Sequence, residues 1–165
     1  MAGGAGRSRL MRLRIIAIGR KMPGWVAAGF AEYAGRMPPH LGLELRELQP
    51  GDRGKGANAA DAAAVEARRM LEAIPAGSRV VALDREGRQE STEQLAGRMS
   101  GWMQDGRDIS LLVGGPDGMT PSLLAAADQR WCLSRLTLPH MLVRVVLAEQ
   151  LYRAWTILGN HPYHR

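Results

Sequence analysis

Cysteine is all but missing. Cys132 stands alone among 165 residues, so no internal disulfide can form, the pattern of a protein kept in a reducing compartment. Long apolar runs are missing too: none approaches the ~18 residues that cross a bilayer as a helix. The opening MAGGAGRSRLMRLRIIAIG carries only a short apolar run, broken by Arg12 and Arg14 and followed by no small-residue cleavage site. That speaks against a secretion signal and makes a cytoplasmic location the expectation. Aromatic residues are few, at 5%, so a core must rest on Leu, Val, Ile, Met and Ala. Neither G-x-G-x-x-G nor G-x-x-x-x-G-K-S/T occurs, which removes the usual cradles for dinucleotides and nucleoside triphosphates. His140, His161 and His164 have neither helical i, i+4 spacing nor a cysteine partner, so no metal site is expected.

What is present is a chain of one-domain length with 45% hydrophobic residues, enough for a single core. Its net charge of +6 is unevenly placed. Residues 1–21 carry six basic groups and no acid, and residues 130–165 carry five arginines against Glu149 alone. The stretch between them is net acidic. Two basic ends around an acidic middle point to a polyanionic partner, nucleic acid first, against the plainer reading of a basic surface kept for solubility.

The apolar pattern alternates between strand-like and helix-like segments. LMRLRIIAI, ending at Gly19, reads as a strand; MPGWVAAGFAEYAGRM reads as a helix with Pro23 in its first turn and Trp25, Ala28, Gly29, Glu32 and Tyr33 along one stripe. LGLELREL alternates with period two, GDRGKGAN is a glycine-rich basic loop, and residues 57–74 form an alanine-dominated helix. SRVVALD and DISLLVGG are strands buried on both faces, separated by a helix that opens on the capping box Ser91-x-x-Gln94. Thr120-Pro121 starts a short helix, RWCLS is a last strand, and residues 141–158 are a final helix. This order predicts an α/β sandwich around a mainly parallel sheet. Residues 1–10 read as a flexible N-terminal extension and residues 11–165 as the single domain, with Met11 a second candidate start.

Three loops at strand ends are candidates for ligand binding, as in other open parallel sheets. In LLVGGPDGMTP, Gly114 and Gly115 leave backbone groups bare to a flat ring, unless they and Asp117-Gly118 serve only as a turn. VALDREG is the second loop. The third, LSRLTLPHML, is apolar without helical or strand period and asks to be covered by a ligand or a neighbouring subunit. The final helix has a wide apolar surface, Val143, Leu147, Leu151, Ala154 and Leu158 flanked by Leu142, Val146 and Trp155. Such a surface suits burial against the sheet and against a second copy of the chain. Arg144 and Arg153 fall on its other faces, Arg153 among Tyr152 and Trp155. The chain closes on Asn160, His161, Pro162, Tyr163, His164 and Arg165, a polar hexapeptide where fraying is the default unless something holds it.

Taken together, LLVGGPDG, LTLPHMLVRVVLAEQLYRAW, NHPYHR and the earlier AIGRKMPGW resemble the RlmH family. These are small SPOUT-class methyltransferases that methylate N3 of a pseudouridine in large-subunit (23S) ribosomal RNA. The resemblance runs from about residue 11 to residue 165; the extension before it and Asp117, where Glu is also familiar, are departures. It implies a SPOUT-type α/β fold whose C-terminal segment forms a trefoil knot, a homodimer, and S-adenosyl-L-methionine as cofactor. By position it places cofactor contacts on Leu83, Gly115, Ser134, Arg135, Leu136, Thr137, Leu138 and Pro139, and puts the C-terminal hexapeptide at the methyl-transfer site.

Within that resemblance the chemistry assigns roles. An imide N–H is a poor nucleophile until its proton leaves, and His140 is the side chain matched to take a proton near neutral pH. Tyr163 could orient that base or stack on it, Arg165 could stabilise negative charge on the uracil carbonyls, and Arg153 is a further catalytic candidate. Each has a plainer alternative: His140 as a cap of the last helix, Tyr163 as packing, His161 and His164 as structural or solvated. With no separate RNA-binding domain, RNA must be held by the basic ends, by GDRGKG and by both subunits, which favours the assembled ribosome as substrate. Neither membrane nor metal is expected as a partner. The rival readings are a SPOUT enzyme for another RNA position and a non-catalytic RNA-binding protein of the same fold.

Overall fold

The computed structural model describes residues 10–164; the expectations placed on residues 1–9 and on Arg165 lie outside the described residues. Five strands and five α-helices alternate: β1 (Met11–Ile18), α1 (Gly24–Ala34), β2 (Leu41–Leu48), α2 (Ala59–Ala73), β3 (Arg79–Gln89), α3 (Thr92–Asp105), β4 (Ile109–Val113), α4 (Pro121–Ala125), β5 (Gln129–Cys132) and α5 (His140–Leu158). A 3-10 turn over Pro162–His164 follows. The strands form one sheet in the order β2-β1-β4-β3-β5, and every pairing is parallel.

The sheet is covered on both faces, as parallel sheets are. Along β1 the side chains alternate: Leu13, Ile15 and Ala17 join a cluster with Phe30, Leu95, Met99, Trp102, Leu147 and Leu151, from α1, α3 and α5. Ile16 and Ile18 join Leu48, Met70, Leu112 and Leu123 on the other face, under α2 and α4. Helix starts follow the local chemistry. Ser91 and Gln94 form the expected reciprocal capping box, Asn58 caps α2 by accepting from the Ala60 N–H, and Thr120 caps α4 with Pro121 in its first turn.

Three local expectations change. On α1 the buried residues are Val26 and Phe30, while Trp25 is 65% exposed and Ala28 and Glu32 face solvent; of the expected stripe only Gly29, against Val145, and Tyr33 lie on the packed face. The third strand does not stop at Asp84. Leu83 and Arg88 both pair with Trp131, so the residues between them bulge out of the ladder and the strand then resumes to Gln89. A side chain at Gly87 would lie 2.7 Å from the Trp131 backbone N, so only glycine permits that approach. On α5, Arg144 is completely buried, although it lies off the apolar stripe.

Candidate active site

At the carboxyl ends of β3, β4 and β5 lies a cavity of about 610 Å³. Its walls are the three loops that the strand pattern singled out: the bulge of β3 from Leu83 to Glu86, the 114–119 turn after β4, and residues 132–139 after β5. Each wall has a specific cause. Gly118, at φ +72°, closes the turn and donates its N–H to the Gly115 carbonyl at 3.0 Å. Gly114 and Gly115 have no positive φ; they are needed for space. A methyl group on Gly114 would meet Met119 Cγ at 3.0 Å, and one on Gly115 would meet Glu66 Oε2 at 2.9 Å. The turn reading thus applies to Gly118, while Gly114 and Gly115 are glycines because the turn packs on itself and on Glu66.

The turn is braced from behind. Glu66 is 2% exposed, accepts from the Gly51 N–H at 3.0 Å and is bound by the Arg53 guanidinium, whose Nε also donates to Asp117 Oδ2 at 2.8 Å. Burial pushes the Glu66 carboxyl up, but the bonds from Arg53 and Gly51 outweigh it and leave the group below its usual range. In the third loop Ser134 Oγ accepts from the Leu136 N–H at 3.0 Å, and Arg85 Nη2 donates to Thr137 Oγ1 at 2.5 Å, tying the bulge to the loop. Asp84 Oδ2, in the cavity wall, is buried without a hydrogen-bond partner among the described residues.

The structure brings Leu83, Gly115, Ser134, Leu136, Thr137, Leu138 and Pro139 to one cavity, with His140, the first residue of α5, at its edge. Arg135 is exposed and does not border it.

Tyr163 and Arg153 belong elsewhere. Glu149 collects Arg153 Nε at 2.8 Å and Tyr163 Oη at 3.2 Å on Oε1, and Gln150 Nε2 at 2.7 Å on Oε2. The Tyr163 ring packs edge-on to Tyr152 with centroids 4.7 Å apart, and the Arg153 guanidinium lies 4.9 Å from its centroid. Burial first, then the Tyr33 hydroxyl and the Glu149 carboxylate, push the Tyr163 phenol up to about 12. The turn is anchored by the His161 N–H, which donates to the Thr156 carbonyl at 2.8 Å, while the His161 and Pro162 side chains stay exposed. The C-terminal turn is therefore held in place, but not at the cavity. Arg153 is thirteen residues beyond His140 on α5, about 20 Å at 1.5 Å per residue.

Four residues of this architecture carried no signal in the sequence as ligand-site supports: Arg53, Glu66, Glu149 and Arg144. Only the glycine-rich context of Arg53 hinted at a role.

A doubly covered parallel sheet with a ligand cavity built from glycine-bared loops at its carboxyl edge is the frame of an α/β enzyme that binds a small organic cofactor or substrate. Residues 11–164 match the family model described as "Predicted SPOUT methyltransferase", and the chain belongs to that family. It is 56% identical over 155 residues to the ribosomal RNA large subunit methyltransferase H of Paraburkholderia xenovorans, covering 94% of this chain and 99% of that protein. The protein of the same name from a Marinomonas species is 55% identical, with 94% of this chain and all of that protein covered. Among solved structures, a probable methylase family protein from Haemophilus influenzae matches with a TM-score of 0.53 at 13% identity, over 96% of this chain and 71% of that one. At that identity the likeness concerns the fold alone.

Proposed function

We propose that this protein is a homodimer that transfers a methyl group from S-adenosylmethionine to N3 of a pseudouridine in large-subunit ribosomal RNA, on assembled ribosomes in the cytoplasm. The methyltransferase family and the names of its relatives support the reaction class and the RNA. The observation that carries the reading is the cavity with His140 at its edge. In the same reading residues 133–139 belong to the trefoil knot expected of the fold.

The residues present fit the donor. Gly114 and Gly115 line the cavity and can offer backbone groups to a flat adenine, and the apolar Leu83, Leu136 and Leu138 enclose it. Asp84, a carboxylate in the cavity wall, suits a ribose hydroxyl or the ammonium of a cationic ligand. When bound, S-adenosylmethionine supplies an already activated methyl group. The remaining work falls to the protein: to hold the base in line and to take the N3 proton. His140 is the base in this reading. Tyr163, protonated throughout the neutral range, donates a hydrogen bond, and Arg153 with Arg165 favours negative charge on the uracil carbonyls.

His140 cannot meet Tyr163 and Arg153 within one chain, because α5 separates them. A two-fold dimer resolves this by laying the C-terminal turn of one subunit against the cavity of the other. The apolar residues that the single chain leaves partly uncovered, Leu142, Val143 and Val146 on α5, with exposed Leu136 and Leu158, suit that contact. The test is methyl-label transfer from S-adenosylmethionine to ribosomes lacking the modification, followed by mapping of the labelled nucleotide. Label at a single large-subunit pseudouridine is the expected result; absence of label with a folded, dimeric protein overturns the reading.

A further inference from the structure

Arg144 has no place in the mechanism above, yet it is the largest side chain buried without any exposure. It sits one turn after His140 on α5 and points into the β1–α1 connection. Its Nη2 donates to the carbonyls of Gly19 at 2.8 Å and Ile18 at 3.3 Å, and its Nη1 donates to Glu47 Oε2 at 2.6 Å. Met22 Sδ lies 3.6 Å from Nη1. The Nε is left without a partner among the described residues. Removing a guanidinium from water costs several kcal/mol, and an apolar side chain of the same volume often serves a core at least as well. A fork that spends its donors on two consecutive carbonyls and one carboxylate fixes the path of a loop.

That loop is unusual in three respects. Gly19 adopts φ +115°, a conformation that side chains disfavour, and its N–H donates to the Leu48 carbonyl at 2.8 Å. A methyl group there would stand 3.1 Å from Met141 Cε and 3.7 Å from His140 Nε2, so the loop lies directly against the first turn of α5. The next two residues, Arg20 and Lys21, are both exposed, and neither has a carboxylate within 4 Å among the described residues. Other described arginines, such as Arg46 and Arg130, are also exposed without a carboxylate partner; what sets Arg20 and Lys21 apart is their place on a clamped loop beside His140. Two free cations on a clamped loop beside the proposed base form a surface for a polyanion.

We infer that residues 19–21 are a rigid phosphate-gripping lip for the RNA backbone next to His140, and that Arg144 is the positioning residue that holds it. The inference rests on the methyltransferase reading for its purpose, not for its geometry. Phosphate contacts fix register without reading sequence; here they would set the target base against His140.

The test uses the full-length protein and ribosomes lacking the modification. The double variant Arg20→Ala/Lys21→Ala, with both changes on exposed side chains, should raise the KM for ribosomes by about tenfold or more. It should also flatten the salt dependence of ribosome binding by between one and two in slope, as expected for two lost phosphate contacts. Affinity for S-adenosylmethionine, measured by calorimetry, should not change. Arg144→Lys keeps a charge but not the fork, and should reproduce the KM effect. If Arg144→Lys does not fold, Gly19→Ala perturbs the same loop through its φ and through Met141.

An unchanged KM and salt slope in the double variant overturns the lip. A loss in the double variant without one in Arg144→Lys, or in Gly19→Ala where it is needed, overturns the positioning role. Co-sedimentation with ribosomes separates this inference from the enzymatic reading: lip-dependent binding without methyl transfer by the unaltered protein would keep the surface and remove the activity.

Discussion

The two ends of α5 are built on opposite terms. At its N-terminal end, Pro139 supplies no side-chain cap, His140 is exposed, and the adjoining cavity holds a buried, unpartnered carboxylate oxygen at Asp84. At its C-terminal end, one carboxylate, Glu149, gathers three side-chain donors while three tyrosines and two arginines interleave around it. The first end has an open cavity beside a helix start without a side-chain cap. The second has its groups already oriented, at the cost of their freedom to move. In the proposed dimer, a group presented across the subunit boundary would gain from such pre-orientation, because ordering it at each encounter would cost affinity.

The sharpest way to break this comparison is to disable each end on a different chain. Gly115→Val should push the 114–119 turn off Glu66 and distort the cavity wall, and deletion of residues 163–165 should remove the presented turn; each variant alone should be inactive as a homodimer. If sites are shared between subunits, co-refolding equal amounts should restore about a quarter of wild-type methyl transfer, since half the dimers are mixed and each of these has one intact site. If each chain completes its own site, mixing restores nothing and the two-fold arrangement fails.

The cavity end can be probed by itself. Because a Cβ at Gly115 already crowds both Glu66 carboxylate oxygens, at 2.9 and 3.2 Å, Gly115→Val should weaken donor binding by about 1–3 kcal/mol, about fivefold to over a hundredfold. Calorimetric titration with S-adenosylmethionine checks this. Retained affinity would mean that the turn yields and that its close packing is not what shapes the site.

Behind that turn, Arg53→Ala leaves Glu66 buried without its cation, and should cost about 3 kcal/mol of stability in urea denaturation. Glu66→Gln should cost less, since it leaves no buried charge. The pH dependence follows from the lowered carboxyl. The stabilisation by Glu66 is fully present above the unfolded carboxylate value, about 4.3, and is lost as pH falls through the lower folded value. The wild-type advantage over Glu66→Gln should therefore shrink on acidification. An advantage that grows with acid would contradict the sign.

Much of this architecture was legible in the sequence because strands buried on both faces leave unbroken apolar runs. DISLLV and RVVAL declare β4 and the start of β3, and the capping box at Ser91 fixes the start of α3 to the residue. The cavity loops were legible for a related reason: glycine pairs after a buried strand, and an apolar loop without period, both need an explanation that the fold alone does not give. What remained hidden is pairing between distant segments. Arg144 reads as an off-stripe charge on its helix, and its partners Glu47 and Gly19 lie 97 and 125 residues away. The continuation of β3 past its bulge depends on β5 meeting it twice, at Leu83 and again at Arg88. The phase of α1 misleads because a tryptophan, the largest apolar side chain available, stands outside the core at Trp25.

The smallest expected effect lies at the C-terminal end, where Tyr163→Phe keeps the ring against Tyr152 and removes only the hydroxyl that donates to Glu149. Loss of one hydrogen bond at a partly buried site should cost about 1 kcal/mol of stability, with Glu149 still satisfied by Arg153 and Gln150. The pH profile separates this bond from packing. A phenol raised to about 12 from an unfolded value near 10 stabilises the fold fully below pH 10 and loses that contribution as pH rises toward 12. Wild type and Tyr163→Phe should therefore converge in stability only above pH 10. In spectrophotometric titration, one of the three tyrosines should resist ionisation in the wild type. A Tyr163 that ionised normally would leave the hydroxyl free to act as a base, and the role of a fixed, protonated donor presented to the neighbouring subunit would have to be given up.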